Sequence, residues 1–220
     1  MKNIEANGIE LSMGSDLLLE DLEKSHSVLK RDKRRVAIFG GSNIKIDSFY
    51  YEQARIFAKN ISSSGISIIT GGGPGIMEAG NLGVYDSGNL DLSYGIRVKS
   101  ILNECVNDVD YIKDKNLYVF NTLSLRLLTL IGSSDVIVLF PGGFGTFEEL
   151  FSLLVRIRVD MMKKVPVYLF GSNFWGGLVA WLNDVVLHEK TIDESDIQSF
   201  KIVDDIEQLS LDIINYCRSI

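Results

Sequence analysis

The sequence is poor in the residues that bind metals or form disulfides. Its cysteines are Cys105 and Cys217, which are far apart and form no CxxC pair, and its histidines are His26 and His188. These residues offer no zinc-ligand cluster at the usual spacings. We therefore expect free thiols in a reducing compartment, no metal and no cofactor.

Long apolar runs and a secretory signal are also missing. No apolar run approaches the roughly 18–20 residues that a membrane span needs. The first residues, MKNIEANGIELSMGS, lack the basic start and the apolar stretch of a signal peptide. We expect a cytoplasmic protein that has no membrane partner.

Positive charge is scarcer than negative charge. The 22 Lys and Arg residues stand against 29 Asp and Glu residues, which gives a formal net charge of −7. An acidic surface disfavours a nucleic-acid partner, because such binding depends on neutralising many phosphates. It does not exclude a small phosphate ligand, which backbone amides and one or two cationic side chains can hold.

What the sequence does contain is the pattern of an α/β protein. The 220 residues, 46% hydrophobic and 23% charged, are typical of a globular chain. From residue 35 onward, short runs rich in Val and Ile alternate with helical stretches of about ten to fifteen residues, which indicates βαβ units. We predict a Rossmann-like, doubly wound, mostly parallel sheet of about six or seven strands. The predicted strands cover residues 36–39, 66–70, 92–98, 116–120, 136–140, 165–170 and 200–203.

The first 34 residues differ from the rest. Residues 16–29 place Leu17, Leu22 and Val28 among charged residues, which predicts a short amphipathic helix. We predict an N-terminal helical arm or lid over residues 1–34 and a single nucleotide-binding domain over residues 35–220. Segment 83–111 is the least regular, and we predict a long loop over a site there.

Three predicted strands end in glycine clusters, at residues 40–42, 71–75 and 141–146. Ligands of open α/β sheets bind beyond the carboxyl ends of the strands, and a helix that follows a glycine turn presents free N–H groups to an anion. Three clusters on one edge favour a phosphate-bearing ligand over three tight turns. GxxxxGK(S/T) is absent, as is GxGxxG after the first strand, so we expect neither NTP hydrolysis nor the usual redox dinucleotide site.

Carboxylates follow two of these clusters. Glu78 lies one turn into the helix predicted after residues 71–75, and Glu148 and Glu149 follow Thr146 in another predicted helix. A carboxylate at a helix start either interacts favourably with the helix dipole or faces the sugar attached to a bound phosphate. The Thr146 hydroxyl either caps its helix or joins the phosphate contacts.

One arginine stands in an apolar helix. Arg126 lies within LSLRLLTL, just before the strand that ends at Pro141. It is either a surface arginine or, if Leu123, Leu127 and Leu130 form the core stripe, a side chain directed towards the loops.

These residues together resemble the paired signatures of the LONELY GUY (LOG) family. The motifs are TGGGPGIMEA at residues 70–79 and PGGFGTFEE at residues 141–149, and the second matches PGGxGTxxE at every fixed position. The resemblance covers residues 35–205 approximately, and VPVYLFG at residues 165–171 is similar to the longer bacterial subgroup. Members of the family, long mislabelled as lysine decarboxylases, are phosphoribohydrolases that release the base from nucleoside 5′-monophosphates, including cytokinin ribotides. No lysine stands in a recognisable pyridoxal-phosphate context, so the decarboxylase label finds no support here.

The resemblance implies roles for individual residues. Arg126 and Glu149 fall on the catalytic positions, and Glu78 would lie near the ribose or the base. The other implied substrate-binding residues, most of them phosphate ligands, are Ser42, Gly72, Gly73, Gly142, Gly143, Gly145 and Thr146.

The chain departs from the family at two places. Leu127 stands where the family usually has lysine, and IRVKSILNEC at residues 96–105 replaces an LPxEQ-type stretch. The second departure concerns a loop that we expect to touch the base. The first bears on whether the protein turns its ligand over at all.

The implied activity is hydrolysis of the N-glycosidic bond of a nucleoside 5′-monophosphate, such as AMP or a cytokinin riboside 5′-monophosphate, to free base and ribose 5-phosphate. The alternative is a carrier of the same fold that binds a nucleotide or the molybdenum cofactor without cleaving it. A third reading is a partner-binding subunit whose glycine loops are mere turns. Since family members are dimers or larger, we expect a homodimer or higher homo-oligomer, with the helices around residues 121–131 and 146–158 as candidate interfaces.

Overall fold

The computed structural model describes residues 14–99 and 111–220, and within them seven strands form one sheet. The strands are β1 Arg35–Phe39, β2 Ser67–Thr70, β3 Ser93–Val98, β4 Leu117–Phe120, β5 Val136–Leu139, β6 Val167–Phe170 and β7 Lys201–Val203. The helices are α1 Ser15–Leu29, α2 Phe49–Ser63, α3 Ile76–Asp86, α4 Leu123–Gly132, α5 Phe144–Arg158, α6 Ser172–Trp181, α7 Glu194–Ile197 and α8 Ile206–Ser219. A π-helical segment, Leu182–Leu187, continues α6, and short 3-10 turns lie at Leu90–Leu92 and Asp114–Asn116.

The sheet is entirely parallel in the described residues, and its strand order is β4-β3-β2-β1-β5-β6-β7. β1 pairs with β2 on one side and with β5 on the other. The chain therefore runs from β1 outward to β4 and returns along α4 to β5. The order reverses between β1 and β5, and the crevice at their carboxyl ends is where doubly wound sheets bind ligands.

Helices cover both faces of the sheet, so there are two apolar clusters. α2, α3 and α8 pack on one face with Val36 and Ile38 of β1. α1, α4, α5 and α6 pack on the other face with Ala37 and Phe39. Because successive strand side chains point to opposite faces, a strand covered on both sides must be apolar at nearly every position. This is why the strands are runs of Val and Ile without polar alternation.

The predicted fold class is confirmed. Each predicted strand overlaps an observed one, and α1 begins one residue before the predicted amphipathic helix. The prediction of a long loop over residues 83–111 is wrong for most of its described part, because residues 83–86 complete α3, Leu90–Leu92 form a 3-10 turn and Ser93–Val98 form β3. Residues 100–110 of that segment lie outside the described residues, and α7 was not predicted.

The described part of the predicted arm packs on the domain. The Ser25 and Thr129 hydroxyls of α1 and α4 share a hydrogen bond of 2.7 Å, and Val28 is buried in the same apolar cluster as α4 and α5. Residues 1–13 lie outside the described residues. The division into an arm over residues 1–34 and a domain over residues 35–220 stays a prediction.

Candidate active site

The three glycine turns meet at the carboxyl ends of β1, β2 and β5. The Gly41 N–H donates to the Pro141 carbonyl (2.9 Å), and the Ile76 N–H donates to the Gly41 carbonyl (3.2 Å). A Cβ on Gly41 would lie 3.2 Å from the Gly142 Cα, and a Cβ on Gly75 would overlap the Gly41 carbonyl. The backbones approach each other more closely than side chains allow, which is the physical reason for glycine here.

A buried polar network holds the turn after β2. The Thr70 hydroxyl accepts from the Gly72 N–H (3.0 Å) and donates to the Asn81 side-chain carbonyl (2.7 Å). The Asn81 amide in turn donates to the Ser93 hydroxyl (2.9 Å). On the other side of the turn, Arg97 Nε donates to the Gly72 carbonyl (2.9 Å). Both backbone groups of Gly72, whose φ is +66°, are therefore fixed, and the turn is preorganised.

The helices that directly follow a described strand differ in how their first N–H groups are satisfied. In most of them a side chain of the protein accepts these hydrogen bonds. The capping residues are Ser48 for α2, Thr122 for α4 and Asp205 for α8. α6 has no side-chain cap at Gly171, but its first N–H, that of Ser172, donates to Asp204. By contrast, α3 and α5 begin after Gly75 and Gly143 and have no side-chain cap. An uncapped helix N-terminus offers its N–H groups and the positive end of its dipole to an anion.

Arg126 of α4 faces Glu149 of α5 beside these turns. Arg126 Nη1 lies 4.0 Å from Glu149 Oε1, and each side chain is only 12% exposed. Arg126 Nε donates to the Ile96 carbonyl at the end of β3 (2.8 Å), and a Cβ on Gly71 would overlap Arg126 Nη2. The guanidinium is thus fixed between β3, the turn after β2 and the Glu149 carboxyl.

Burial sets the ionisation of this pair. Desolvation raises the pKa of Glu149 to about 8, although the Arg126 charge opposes the increase, and the Glu148 charge adds to it. Desolvation also lowers the pKa of Arg126, against the charges of both glutamates. A carboxyl group with a pKa near neutrality can gain and lose a proton at physiological pH, so Glu149 suits general acid–base chemistry.

Three of the predicted binding residues are exposed, and a fourth is half-buried. Gly143 and Gly145 are exposed at the start of α5, and a Cβ on either would meet nothing within 4 Å. Ser42 is exposed on the turn after β1. Gly73 is half-buried under Met77, whose methyl would lie 2.6 Å from a Cβ on that glycine.

Two other predicted site residues have specific neighbours. α5 begins at Phe144, so Thr146 is its third residue and is not a cap; that alternative is wrong. Thr146 is buried, and its hydroxyl packs where a Cβ on Gly142 would lie. Glu78 is half-buried in the first turn of α3. With burial as the main cause, its charge helps to raise the pKa of Tyr51 to about 12.

The core stripe predicted for α4 is partly wrong. Leu127 and Leu130 are buried, but Leu123 is 41% exposed, because it is the first residue of the helix. Of the two alternatives for Arg126, the structure shows the side chain directed towards the loops. Leu127 belongs to the apolar cluster, so a lysine at this position would place its ammonium group in an apolar core.

Sequence reasoning missed three polar residues that organise the site. Arg97 and Asn81 hold the turn after β2, and Asp21 of α1 binds the start of α4. A signal was available for two of them, because a polar residue inside an apolar strand or helix usually has a specific partner when it is buried. Asp21 gave no such signal, since its helix is rich in charge.

Two kinds of feature are absent from the described ranges. None of the helices there has the length and apolar character needed to cross a membrane. Across residues 14–99 and 111–220, no three His, Cys, Asp or Glu side chains lie close enough together to hold a metal ion.

A family model described as "possible lysine decarboxylase" matches residues 77–213, which include both Arg126 and Glu149. This chain belongs to that family, the LOG family. A cytokinin riboside 5′-monophosphate phosphoribohydrolase of Arabidopsis thaliana is 25% identical to it over 168 residues, which are 74% of each chain. A second Arabidopsis thaliana enzyme of the same description is 24% identical over 171 residues, 76% of this chain and 73% of the relative.

Solved structures share the fold of this LOG family member. The molybdenum cofactor binding protein of Rippkaea orientalis superposes with a TM-score of 0.60 at 20% identity, covering 85% of this chain and 98% of that one. The molybdenum cofactor carrier protein of Chlamydomonas reinhardtii gives a TM-score of 0.53 at 18% identity, covering 83% and 96%. At these identities the likeness shows the fold alone.

Proposed function

We propose that this LOG family protein is a phosphoribohydrolase that cleaves the N-glycosidic bond of nucleoside 5′-monophosphates, such as AMP or a cytokinin riboside 5′-monophosphate. The products are the free base and ribose 5-phosphate. One observation carries the proposal: the Arg126–Glu149 pair, 12% exposed on each side and 4.0 Å apart, adjoins the uncapped helix starts at the switch point of the sheet. The family relationship to phosphoribohydrolases supports it.

The 5′-phosphate would bind at the starts of α5 and α3. The first N–H groups of α5 belong to Phe144, Gly145 and Thr146, and Gly143 and Gly145 leave the approach to them open. Backbone donors and the helix dipole suit a dianion even on an acidic protein, because they do not depend on net charge. Binding energy gained at the phosphate can then hold the ribose in a reactive position.

The reaction breaks the bond between C1′ and the base nitrogen, and the electron pair leaves with the base. Positive charge develops on the ribose, as in glycoside hydrolysis. In this proposal the Glu149 carboxylate lies on the ribose side, where it stabilises that charge and takes a proton from the attacking water as the new C1′–O bond forms. The departing base takes up a proton from solvent, and Glu149 later returns its proton to solvent, so that one water is divided between C1′, which gains the hydroxyl, and the base, which gains the proton.

Arg126 would act on the same carboxylate. Its charge lowers the pKa of Glu149, opposing the effect of burial, and therefore increases the fraction of ionised carboxylate at neutral pH. Its fixed position between the Ile96 carbonyl and Gly71 keeps the guanidinium within reach of both Glu149 and a bound phosphate.

Chromatography of base and ribose 5-phosphate after incubation with AMP, other nucleoside monophosphates and adenosine tests the proposal. We expect release from monophosphates, little from adenosine, and a loss of about 100-fold or more in kcat for Glu149→Gln. Glu148→Gln is the matched control, since the neighbouring carboxylate is exposed. Equal cleavage of adenosine and AMP, or full activity of Glu149→Gln, contradicts the proposal.

The second candidate is a carrier that holds a nucleotide or the molybdenum cofactor without cleaving it. What favours it is Leu127, an apolar core residue at the position of the family's lysine. The structural neighbours named for molybdenum cofactor fit the alternative through their fold. A ligand that co-purifies intact and is not consumed over time supports the carrier, whereas accumulation of free base rejects it.

We further propose that the protein assembles as a homodimer or larger homo-oligomer through α5. Its solvent side carries the exposed apolar residues Phe144 (93% exposed), Phe151 and Val155, with Val159 directly after the helix and Glu148 as a charged residue on the same face. Exposed apolar residues grouped in this way favour association. Light scattering should give a mass of at least two chains, and Val155→Glu should lower it; a monomeric wild type contradicts the assembly.

A further inference from the structure

Asp21 is a carboxylate of α1 with no exposure to solvent. Its oxygens accept hydrogen bonds from the Asn121 N–H (2.8 and 3.0 Å), the Thr122 N–H (2.8 Å) and the Thr122 hydroxyl (2.9 Å). The Asn121 side-chain amide adds another at 3.1 Å. The nearest cation, Lys24 Nζ, lies 3.7 Å away. Donors at the start of α4 therefore surround this carboxylate.

These contacts lead directly to Arg126. The Thr122 hydroxyl, held by Asp21, accepts from the Leu125 N–H (3.4 Å), and the Thr122 carbonyl accepts from the Arg126 N–H (3.3 Å). Both the side chain and the carbonyl of Thr122 thus hold the first turn of α4. Arg126 is the fourth residue of the helix, so its backbone follows any shift or rotation of this turn. Its side chain must then lose either the contact with the Ile96 carbonyl or its position beside Glu149.

We propose that Asp21 is a positioning residue for Arg126, so that α1 supports the active site through the start of α4 and not through a hydrogen bond or ion pair to Arg126 or Glu149. The proposal rests on the proposed function. The LOG family match begins at residue 77, and the resemblance in sequence begins near residue 35, so neither includes α1. Asp21, which lies outside the family motifs, thus holds the start of α4, the helix that carries Arg126.

The physical reason is the cost of leaving these donors without an acceptor. Asp21 and Thr122 are buried, so removing the carboxylate leaves the Thr122 N–H and hydroxyl without an acceptor, and the start of α4 must shift or fray to reach other partners. A displacement of about 1 Å in a catalytic group can lower the rate about 100-fold. Arg126 has little freedom to compensate, since Ile96 and Gly71 already confine its guanidinium.

Asp21→Asn is the main test, because the amide has the shape of the carboxylate but lacks one acceptor and the charge. The matched control is Ser25→Ala, which removes another α1–α4 hydrogen bond, to Thr129, further along α4. At a temperature where both variants are folded, we expect kcat to fall about 10- to 100-fold for Asp21→Asn and by less than about twofold for Ser25→Ala. KM should change little in either.

The pH profile separates positioning from simple destabilisation. The charges that act on Glu149 are those of Arg126 on α4 and Glu148 on its own helix. If Asp21→Asn moves Arg126 away, the pKa of Glu149 rises, and the increase of kcat with pH moves to higher pH. An unshifted profile, or a loss that equals the loss in Ser25→Ala, overturns the proposal.

Hydrogen exchange tests the positioning without any activity. Amides of residues 121–130 should exchange about tenfold faster in Asp21→Asn than in Ser25→Ala. If Asp21→Asn does not fold, Thr122→Val is used instead, because it keeps the carboxylate but removes the hydroxyl, and it should show the same faster exchange. Thr122→Ser keeps the hydroxyl and should exchange at the wild-type rate. Unchanged exchange overturns the positioning role, whereas a wild type that releases no base overturns only the proposed function.

Discussion

The starts of α4 and α5 lie on the same face of the sheet and carry the two members of the Arg126–Glu149 pair, yet they are built in opposite ways. α4 begins with Thr122 as its cap, and a buried carboxylate, Asp21, accepts from the N–H groups of Asn121 and Thr122 just before the helix. α5 begins after Gly143 with no side-chain cap. One helix start already has its anion within the chain, and the other leaves its donors for an anion from outside. The start of α4 therefore serves to position a side chain, whereas the start of α5 is available to bind a ligand.

Gly143→Asp should have the largest effect, because it gives α5 the kind of start that α4 has. The position tolerates a side chain: its φ of −95° and ψ of −156° are extended, and a Cβ there meets nothing within 4 Å. The new carboxylate would cap α5 and repel a phosphate, so we expect nucleotide affinity to fall about 100-fold or more. Isothermal titration with AMP measures this.

Gly143→Asn is the control for that variant, because it adds similar bulk and a neutral acceptor. It should weaken binding less than the aspartate does. The free energy of unfolding should stay the same or rise by roughly a few tenths of a kcal/mol in both. Unchanged AMP affinity in Gly143→Asp would show that α5 does not receive the phosphate.

Gly71→Ala should have the next largest effect, because it disturbs Arg126, the residue that α4 positions. The added methyl would overlap Arg126 Nη2 and lie 2.7 Å from Met77 Sδ, so the guanidinium must move. We expect kcat to fall about 10- to 100-fold. Gly176→Ala is the matched control, since a Cβ there meets nothing within 4 Å. Equal kcat in the two variants would contradict the account of Arg126.

Glu149→Gln should change the pH dependence of stability. Folding raises the pKa of Glu149 from 4.5 to about 8, so the folded state holds its proton more tightly, and wild-type stability falls as pH rises between these values. The glutamine has no proton to lose. Relative to wild type, it should gain on the order of 1–3 kcal/mol between pH 5 and pH 9, measured by urea unfolding. A constant difference across this range would contradict the raised pKa.

Asp204→Asn should have the smallest effect. It tests whether ligand binding is confined to the starts of α3 and α5 or also involves the start of α6. Asp204 accepts from the Ser172 N–H at the start of α6 (2.7 Å). Weakening that hydrogen bond should cost about 0.5–1 kcal/mol of unfolding free energy. AMP affinity should not change, because α6 already has its acceptor within the chain. A tenfold loss of affinity would place the ligand at α6 as well.

Much of the fold could be predicted from the sequence, because strands covered on both faces appear as runs of Val and Ile between glycine turns. The place of the glycine loops followed from the same rule, since carboxyl ends of parallel strands share an edge. Residue spacing alone sufficed for these. For Arg126 the sequence left two alternatives open, and only the contacts with Ile96 and Gly71 decided between them.

The rest depended on contacts between distant parts of the chain. Nothing local to α1 indicates that Asp21 meets Thr122, 101 residues later. The depth at which Glu149 is buried, and hence its raised pKa, depends on how α4 and α5 pack. The error over Thr146 was local: the helix begins two residues earlier, at Phe144, because an uncapped start needs no hydroxyl.

α4 connects β4, at the edge of the sheet, to β5, beside β1. This connection determines at which point of synthesis the site can form. A nascent chain that ends at residue 132 can contain β1 to β4, the turn at Gly71 and Arg126, but the free side of β1 still lacks its partner strand. Glu149 and the uncapped start of α5 emerge from the ribosome only afterwards. A ligand that needs the start of α5 as well as that of α3 therefore cannot assist the folding of the first half of the sheet. It can stabilise the chain only once β5 has been inserted beside β1.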